Sequence, residues 1–280
     1  MISCSLKLLA KLVYRFSGGK MEKAVKVAKK TMLAFDIDHT LSLSKQAITD
    51  EMADLLTKVL EIFQVCIISG RSYNQFLLQV VGNLPNQSPE LMKNLYLLPA
   101  QGTQFFRFSE GWKSVYAFEL REEQVSEIFY VVEKAAKKLG YWRNANPETN
   151  DLVLENRVSQ VTFAGIDTGS PIEEKRAWDP DCAKREAIIA ECKKLSPEFE
   201  YKIGGNTSID ITQAGLDKGF GMKKLIEFLE LSKDEILYFG DMTQPGGNDY
   251  PVVELGIDTI TVREYYDTMY AIKGILGILG

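Results

Sequence analysis

The sequence predicts an α/β protein in which a Rossmann-like parallel sheet is interrupted by a smaller α+β insertion. Three observations predict this class. From Thr31 onward, short apolar runs alternate with stretches whose apolar residues recur at helical spacing. In the middle of the chain, apolar runs follow one another closely, which is typical of antiparallel strands. The early runs end in small or polar residues, and parallel sheets bind ligands at such strand ends.

The first part of the chain provides three predicted strands separated by two predicted helices. Residues 32–35, 65–68 and 95–98 are short apolar runs typical of buried strands. Residues 51–63 and 73–81 have the spacing of amphipathic helices. The strand–helix alternation predicts that the three strands run parallel in one sheet.

The rest of the chain is assigned in the same way. The middle contains two predicted helices and three strands, at 124–139, 152–154, 158–163, 183–195 and 208–212. After Gly215 the parallel pattern resumes, with a helix at 220–229 and strands at 236–239 and 257–262. The apolar tail 274–280 is too rich in glycine for us to predict a helix.

These elements predict three regions. An N-terminal amphipathic extension occupies residues 1–30, the core comprises 31–112 and 213–280, and a cap is inserted at 113–212. In the extension, Lys7, Lys11 and Arg15 recur at helical spacing, which favours a surface helix over a weak membrane contact. The basic residues interrupt the apolar run, and a membrane span needs about 20 apolar residues, so no stable membrane insertion is predicted.

Composition excludes several classes of protein. The chain has 280 residues, with 33 Lys plus Arg against 38 Asp plus Glu, and this net charge of -5 gives no support for nucleic-acid binding. The hydrophobic fraction of 45% and the charged fraction of 25% exclude disordered and collagen-like chains. An ordinary globular protein without a nucleic-acid partner is therefore expected.

The cysteines and the single histidine narrow the chemistry further. Cys4, Cys66, Cys182 and Cys192 include no Cys-x-x-Cys pair, so neither a zinc site nor a disulfide framework is predicted. Reduced thiols in turn predict a cytoplasmic location. Because His39 is the sole histidine of the sequence, any catalysis must depend mainly on carboxylates.

Carboxylates follow two of the predicted strands. Asp36 and Asp38 come where the first strand ends, and Asp241 and Asp249 lie in a turn after the strand at 236–239. If these strand ends adjoin, close carboxylates would repel by roughly 4 kcal/mol per pair at an effective dielectric near 20. A hard cation relieves such repulsion, and oxygen-only ligands indicate Mg²⁺. Taken alone, the first pair of acids is also compatible with a simple turn cap.

Two further residues suit phosphoryl transfer. Ser69 follows the second strand and Lys218 precedes the helix at 220–229, and both side chains can hold phosphate oxygens. Together with Mg²⁺ and a free carboxylate, they would supply the charge neutralisation that this chemistry requires.

The order of these segments resembles the haloacid dehalogenase superfamily, in particular the branch with an α/β cap (subfamily IIB). Its four motifs are matched by Asp36, Asp38 and Thr40, by Ser69, by Lys218, and by Asp241, Asn248 and Asp249. The resemblance implies that Asp36 is the nucleophile and forms an aspartyl-phosphate, and that Asp38 is the general acid/base. It also implies that Ser69 and Lys218 bind the transferring phosphoryl group, with Thr40 beside them. Mg²⁺ would be held by Asp36, Asp38 (through its backbone carbonyl), Asp241 and Asp249.

The finer resemblance is to eukaryotic-type phosphomannomutases and related sugar-phosphate phosphatases. The segment 240–249 is similar to the mutase version of the last motif, including its Thr and Pro-Gly-Gly. Arg157 resembles the cap arginine that grips a distal phosphate, although a solvent-exposed charge on a strand is the alternative. Ser208 and Asp210 resemble substrate contacts of a cap strand. The resemblance therefore implies a phosphorylated sugar as the small-molecule partner, and a homodimer formed through the cap.

Three departures favour a phosphatase over a mutase. His39 stands where mutases have glycine, and the segment Ser69-Gly70-Arg71 is similar to the phosphatase branch, which makes Gly70 and Arg71 candidate substrate ligands. A further cap arginine is expected near Thr168, which leaves Lys175 or Arg176 as substitutes, and we expect Arg176 to bind substrate. A mutase must hold a second phosphate while its intermediate reorients, so the loss of one clamp matters more to it.

The sequence thus predicts a magnesium-dependent phosphatase of phosphorylated sugars. Phosphomannomutase, which interconverts mannose 1-phosphate and mannose 6-phosphate, is the alternative. A catalytically silent sugar-phosphate-binding module is a second alternative, suggested by the bulky ring of His39 beside the nucleophile.

Overall fold

The protein is described from a computed structural model, which covers residues 29–146, 148 and 151–279. The amphipathic extension predicted at 1–30 lies outside the described residues up to residue 28. The strands are β1 Met32–Phe35, β2 Gln64–Ile68, β3 Leu95–Leu98, β4 Gln104–Phe108, β5 Trp112–Ala117, β6 Leu154–Asn156, β7 Val161–Ala164, β8 Phe199–Gly204, β9 Ser208–Gln213, β10 Ile236–Gly240 and β11 Asp258–Thr261.

The helices alternate with these strands in the core and pack beside them in the middle of the chain. They are α1 Asp50–Leu60, α2 Tyr73–Gln79, α3 Pro89–Met92, α4 Glu122–Leu139, α5 Ile172–Trp178, α6 Ala183–Leu195, α7 Lys218–Leu229, α8 Tyr250–Glu254 and α9 Tyr265–Leu279. Short 3-10 turns occur at Val81–Asn83, Ala100–Gly102 and Lys233–Glu235. None of the helices in the described part of the chain combines the length and the apolar character needed to traverse a lipid bilayer.

The larger sheet has seven strands in the order β11-β10-β1-β2-β3-β4-β5. The first five are parallel, which confirms the α/β class, whereas β4 and β5 are antiparallel. This hairpin was not predicted from the sequence. It turns at Glu110 and Gly111, both of which have positive φ. Strand β5 continues to Ala117, past the predicted start of the cap at 113. The boundaries of core and cap remain a prediction.

Both faces of the larger sheet are covered by helices. Leu33 and Phe35 of β1 point to one side, where Met52 and Leu56 of α1 and Ile272 of α9 pack against them. The alternate residues Met32 and Ala34 join a second cluster on the other face, together with Met222 and Leu225 of α7. Because both faces of β1 are buried, the strand reads as a continuous apolar run rather than as an alternating one.

The middle of the chain forms a second, four-stranded antiparallel sheet in the order β6-β7-β9-β8. Helices α4 and α6 cover it, with Ile128 and Ile188 packed against Phe163 and Ile211 in a separate hydrophobic cluster. This sheet therefore has its own core, which agrees with the α+β character predicted for the insertion.

Helix boundaries follow local capping. Helix α7 begins at Lys218 because the Asp217 carboxylate accepts a hydrogen bond from the Phe220 backbone N–H at 3.0 Å. This places Lys218 in the first turn, at the end of the helix nearest the carboxylates. No helix was predicted for the apolar tail 274–280, yet α9 extends to Leu279. Ile272 and Ile275 of α9 are buried in the core cluster, so tertiary packing outweighs the low helix propensity of glycine.

Candidate active site

Two carboxylates meet because of the register of the parallel strands. Strand β1 lies between β10 and β2, and Phe35 is opposite Phe239. The Asp36 backbone N–H donates to the Phe239 carbonyl at 2.9 Å, so Asp36 and Asp241 leave neighbouring strands at the same edge. The predicted convergence of the two strand ends is present.

Lys218 joins two of the carboxylates. Its Nζ lies 2.7 Å from Asp36 Oδ1 and 2.7 Å from Asp249 Oδ1, and all three side chains are almost completely buried. Burial alone would lower the pKa of Lys218, but the carboxylates of Asp249 and Asp36 outweigh it and raise the pKa above its ordinary value. The lysine is therefore held as a cation beside Asp36.

Asp249 is fixed from several sides. Its Oδ1 accepts from the Tyr238 hydroxyl, and its Oδ2 accepts from the Met242 backbone N–H at 2.9 Å. Gly240 permits this approach, because a Cβ there would lie 2.5 Å from Asp249 Oδ2. The turn after β10 thus folds back to present Asp249 to the strand ends.

The carboxylates of this cluster repel one another. Burial, only partly offset by Lys218, raises the pKa of Asp36 to about 6. Burial and the neighbouring Asp36 and Asp249 raise the pKa of Asp241 well above its ordinary value. A bound cation would remove this penalty.

The residues fit a hard divalent cation. Asp36, Asp241 and Asp249 each offer one carboxylate oxygen, and these oxygens all lie within 4.8 Å of one another. Three carboxylates face one lysine, so the cluster carries excess negative charge when ionised. All-oxygen ligands suit Mg²⁺.

Asp38 is not one of the three grouped carboxylates and is held by Arg71. Arg71 Nη2 donates to Asp38 Oδ1 at 2.9 Å and Nε donates to Oδ2 at 3.2 Å. Burial would raise the pKa of Asp38, but the Arg71 guanidinium outweighs it and holds the pKa below its usual range. The structure therefore does not place the Asp38 carboxylate among the grouped metal ligands, and Arg71 is paired with a protein carboxylate rather than left free for substrate.

The second and first motifs differ in how they reach the cleft. Ser69 and Gly70 follow β2 and line the cleft, as predicted for phosphate ligands. Thr40 is fully buried, and its Oγ1 has no hydrogen-bond partner within the described residues. Thr40 does not line the cleft, so its predicted contact with substrate lacks support from its position.

Three predicted cap residues do line the cleft, but they already contact the protein. Arg157 Nη1 donates to the Gly70 carbonyl at 2.6 Å, and Nη2 donates to Glu155 at 2.6 Å. Asp210 accepts from Gln101 at 2.7 Å, and Ser208 donates to the Gly204 carbonyl at 2.6 Å. The four-stranded sheet is thus closed onto the loop after β2.

Arg176 is not brought into the cleft, which corrects its assignment as a substrate ligand. Its side chain is half exposed on α5 and donates to Glu264 at 2.5 Å. The adjacent Lys175 is buried instead and donates to the Thr168 carbonyl at 2.8 Å. One helical step separates the two side chains by about 100°, so adjacent residues face different surroundings.

The structure shows how a histidine is accommodated at position 39, in the loop that follows Asp36. His39 has a positive φ of 57°, in the left-handed region that favours glycine. Its imidazole Nδ1 lies 3.1 Å from Glu264 Oε2, and the residue is absent from the cleft lining. The ring therefore leaves the space around Asp36 free.

Lys45 is a cleft residue that the sequence analysis missed. Its backbone N–H donates to Asp38 Oδ1 at 2.8 Å, and it lines the same cleft as Arg157. Burial, reinforced by the positive charges of Arg157 and Lys175, lowers its pKa to about 8. The available signal was a lone lysine seven residues after Asp38 in the nucleophile loop.

Between the core and the four-stranded sheet lies a cleft that is lined by core carboxylates and by side chains of the four-stranded sheet. Asp36 and Asp241 belong to this lining, whereas the buried Lys218 and Asp249 do not. Apart from Met242, the remaining side chains that line the cleft are short or polar, and no aromatic ring belongs to its lining in the described residues. They include Ser44, Gln75, Asn206, Thr207 and Asn248. The cleft combines a charge-dense end at Asp36 with a hydrogen-bonding wall.

Comparison with known proteins points to one family. The profile of a family described as haloacid dehalogenase-like hydrolase matches residues 33–255. A phosphomannomutase of Saccharomyces cerevisiae is 25% identical over 86% of this chain and 91% of its own. Phosphomannomutase 1 of Homo sapiens is 25% identical over 82% of this chain and 86% of its own.

Solved structures share the fold at lower identity. An IMP-bound IMP-nucleotidase mutant of Plasmodium falciparum superposes with a TM-score of 0.67 at 17% identity, covering 98% of this chain and 77% of that one. A haloacid dehalogenase-like hydrolase from Bacteroides thetaiotaomicron gives a TM-score of 0.57 at 16% identity, covering 88% and 99%.

Proposed function

The chain belongs to the haloacid dehalogenase-like hydrolases, and from this premise we propose that it is a Mg²⁺-dependent phosphatase of phosphorylated sugars that acts through an aspartyl-phosphate on Asp36. The observation that carries the proposal is the buried cluster in which Lys218 Nζ contacts both Asp36 and Asp249 at 2.7 Å beside Asp241. This arrangement places a carboxylate nucleophile next to a fixed positive charge.

Asp36, Asp241 and Asp249 would hold Mg²⁺, together with the backbone carbonyl of Asp38. When bound, the ion supplies positive charge that neutralises the carboxylates and the phosphate oxygens. Lys218 and Ser69 would bind the oxygens of the transferring group, which reduces the repulsion between phosphate and Asp36.

In the proposed first step, an Asp36 oxygen forms a bond to phosphorus while the bond from phosphorus to the sugar oxygen breaks. The leaving oxygen takes the electron pair and receives a proton from Asp38, which must first take that proton from solvent because the Arg71 guanidinium favours its carboxylate form. In the second step, water attacks phosphorus, Asp38 takes the proton of that water, and the Asp36 carboxylate is released with inorganic phosphate. Asp38 thereby alternates between acid and base.

The cleft wall supports a sugar as the leaving group. Hydroxyl, amide and carboxylate side chains face the space beyond Asp36, which suits a polyhydroxylated ring. A purine base would usually be held by an aromatic or apolar surface, and the described cleft lining has no aromatic ring. The wall therefore favours a sugar phosphate over a nucleotide.

Phosphomannomutase activity is the second candidate, and Lys45 is the observation that favours it. Lys45 and Arg157 both line the wall, so a second phosphate could be bound there if Arg157 exchanged the Gly70 carbonyl for it. Against this candidate, Arg176 lies outside the cleft and Thr168 stands where a further clamp is expected. Fewer cationic groups are then available for the second phosphate.

Product analysis separates the two activities. The purified protein would be incubated with Mg²⁺, mannose 1-phosphate and a hexose bisphosphate activator. We expect free phosphate to be released, whereas conversion to mannose 6-phosphate without free phosphate would establish the mutase. A panel of other sugar phosphates would then identify the preferred substrate.

Asp36→Asn tests the nucleophile and the silent-module alternative together. The substitution keeps the shape of the side chain but removes the attacking carboxylate, so phosphate release should fall by a factor of about 10⁴ or more. Turnover retained in the variant would contradict the aspartyl-phosphate. Absence of turnover in the parent on the whole substrate panel would favour a binding module.

A further inference from the structure

We propose that Arg71 is a positioning residue that orients Asp38 for proton transfer, and that it does not bind substrate. The inference rests on the proposed function, because it concerns the residue assigned as acid and base there. It assigns a role to an arginine that the sequence alone suggested as a ligand of the sugar phosphate.

All the N–H groups of Arg71 find acceptors within the protein. Nε and Nη2 form the fork with Asp38, at 3.2 and 2.9 Å. Nη1 donates to the Gln46 carbonyl at 3.1 Å and to the Gln79 side chain, and Nη2 also reaches Ser42 Oγ at 3.4 Å. A guanidinium has five N–H donors, so none is left over for a phosphate or hydroxyl group.

The burial of Arg71 also argues against a role in binding substrate. Its side chain is 4% exposed, although the residue borders the cleft, whereas the Asp38 side chain is 21% exposed. Both residues line the cleft, but far less of the Arg71 side chain than of the Asp38 side chain is accessible. A substrate would therefore contact Asp38 more readily than Arg71.

Asp38 needs such support because it stands in a loop beyond the end of β1. Strand hydrogen bonds hold Asp36, but Asp38 forms only an isolated bridge with Ser42. The planar fork fixes the plane of the carboxylate, and the Lys45 backbone N–H holds Oδ1 at 2.8 Å. A point charge such as lysine could keep the attraction but could not fix the plane.

The remaining contacts tie this orientation to the core. Gln46 and Ser42 belong to the nucleophile loop, and Gln79 belongs to α2, so Arg71 connects Asp38 to core elements alone. The orientation of Asp38 should therefore not depend on whether the four-stranded sheet is closed over the cleft.

The test uses Arg71→Lys and Arg71→Met in the full chain with Mg²⁺, assayed with a sugar phosphate and with an aryl phosphate. A misplaced catalytic group can cost about 10²-fold in rate, so we expect kcat for both substrates to fall about 10- to 100-fold. KM should change by less than about threefold, because no substrate contact is lost. Arg71→Lys should recover only part of kcat.

Stopped-flow measurement with the aryl phosphate adds a readout specific to Asp38. A phenolate leaves without needing a proton, so Asp36 should still be phosphorylated quickly in the variants. Hydrolysis of the aspartyl-phosphate needs Asp38 to take a proton from water, so this step should slow. The variants should therefore show an initial burst of phenolate that exceeds any burst in the parent.

Arg263→Lys is the matched control, since that side chain is 89% exposed and pairs with Asp267. Neither residue lines the cleft. It should behave as the parent does. An increase of KM of tenfold or more at constant kcat would show that Arg71 binds substrate and would overturn the proposal, as would unchanged kcat in Arg71→Lys.

Melting curves accompany the assays. Should Arg71→Met fail to fold, Arg71→Lys decides the matter by its kcat and its burst. An inactive parent would defeat the proposed function itself, whereas an active parent with unaffected Arg71 variants would defeat the positioning role alone.

Discussion

The two sides of the cleft are built differently. On the core side, Asp36, Lys218 and Asp249 are almost completely buried, and Lys218 Nζ lies 2.7 Å from a carboxylate oxygen of each aspartate. On the cap side, Arg157 donates to the Gly70 carbonyl and to Glu155, and Asp210 accepts from Gln101 and Thr162. These two cap groups are therefore held by neutral or partly exposed partners. The core side is organised before substrate arrives, whereas the cap side must exchange its present partners to bind one.

Because of this difference, we expect the transfer step to depend on the core side and the selection of substrates to depend on the cap side. Rigid, charge-dense surroundings favour the transfer step, because the groups need no rearrangement during the reaction. Exchangeable hydrogen bonds favour selection among substrates. Changes on the core side should therefore affect every substrate, and changes on the cap side should affect large substrates more than small ones.

The largest effect is expected for Lys218→Met. It removes the cation that faces the transferring phosphate, so kcat should fall about 10²- to 10³-fold, equally for sugar and aryl phosphates. Steady-state kinetics on both substrates provide the measurement. Lys224→Met on the same helix is the control, because Lys224 is 39% exposed and pairs with Glu227. A loss confined to the sugar phosphate would break the proposed division between the two sides.

A smaller effect is expected in the stability of the metal-free protein. The folded pKa of Asp36 is raised to about 6 from an ordinary 3.8, so its protonated form favours folding. This contribution is complete below about pH 4 and is lost as the pH rises through about 6, at a total cost of about 3 kcal/mol. The lowered pKa of Asp38 acts in the opposite sense, but only below about pH 4.

Chemical denaturation in EDTA at pH 4.5 and pH 7 would measure this cost, and repeating it with Mg²⁺ gives the comparison. Since the ion neutralises the carboxylates, its stabilising effect should be greater at pH 7 than at pH 4.5. An equal effect of Mg²⁺ at both values would argue against a metal site at the Asp36 cluster.

The smallest effect is expected on the cap side, from Gly70→Ala. A Cβ at Gly70 would lie 2.4 Å from Asp210 Oδ2 and 2.8 Å from Gln101 Nε2, so the four-stranded sheet must move outward. We expect KM for the sugar phosphate to rise about tenfold, with little change for the aryl phosphate. Gly274→Ala, where a Cβ meets nothing within 4 Å, should leave both substrates unaffected. Equal losses on the two substrates after Gly70→Ala would mean that the closed cap also serves the chemistry.

The sequence was informative where function depends on residues that follow strands lying side by side in the sheet. Asp36 and Asp241 were predicted to converge because each follows an apolar run, and parallel strands bring such ends together. Lys218 was found through its place before a predicted helix. These residues could be identified because local backbone geometry determines which edge of the sheet they occupy.

Other residues were misjudged or missed because their role depends on neighbours distant in the chain. Arg71 and Asp38 are 33 residues apart, and the pairing between them leaves no trace in either segment. Arg176 and Lys175 are adjacent, yet only the packing of α5 decides which one is buried. The hairpin of β4 and β5 was likewise missed, because β5 is mostly exposed or half-buried and has no continuous apolar run.

The sequence by itself determined the α/β class, the carboxylate and lysine side chains of the core, and the family to which the chain belongs. The class and the side chains follow from short-range order, namely apolar periodicity and the residues that end a strand or begin a helix, whereas the family was recognised from the resemblance of four motifs in their order along the chain. Only the tertiary structure decided which charges are paired, which basic residues reach the cleft, and how the second sheet closes on Gly70. Those outcomes are set by burial and by contacts between segments far apart in the chain, whose free energies exist only once the chain is folded.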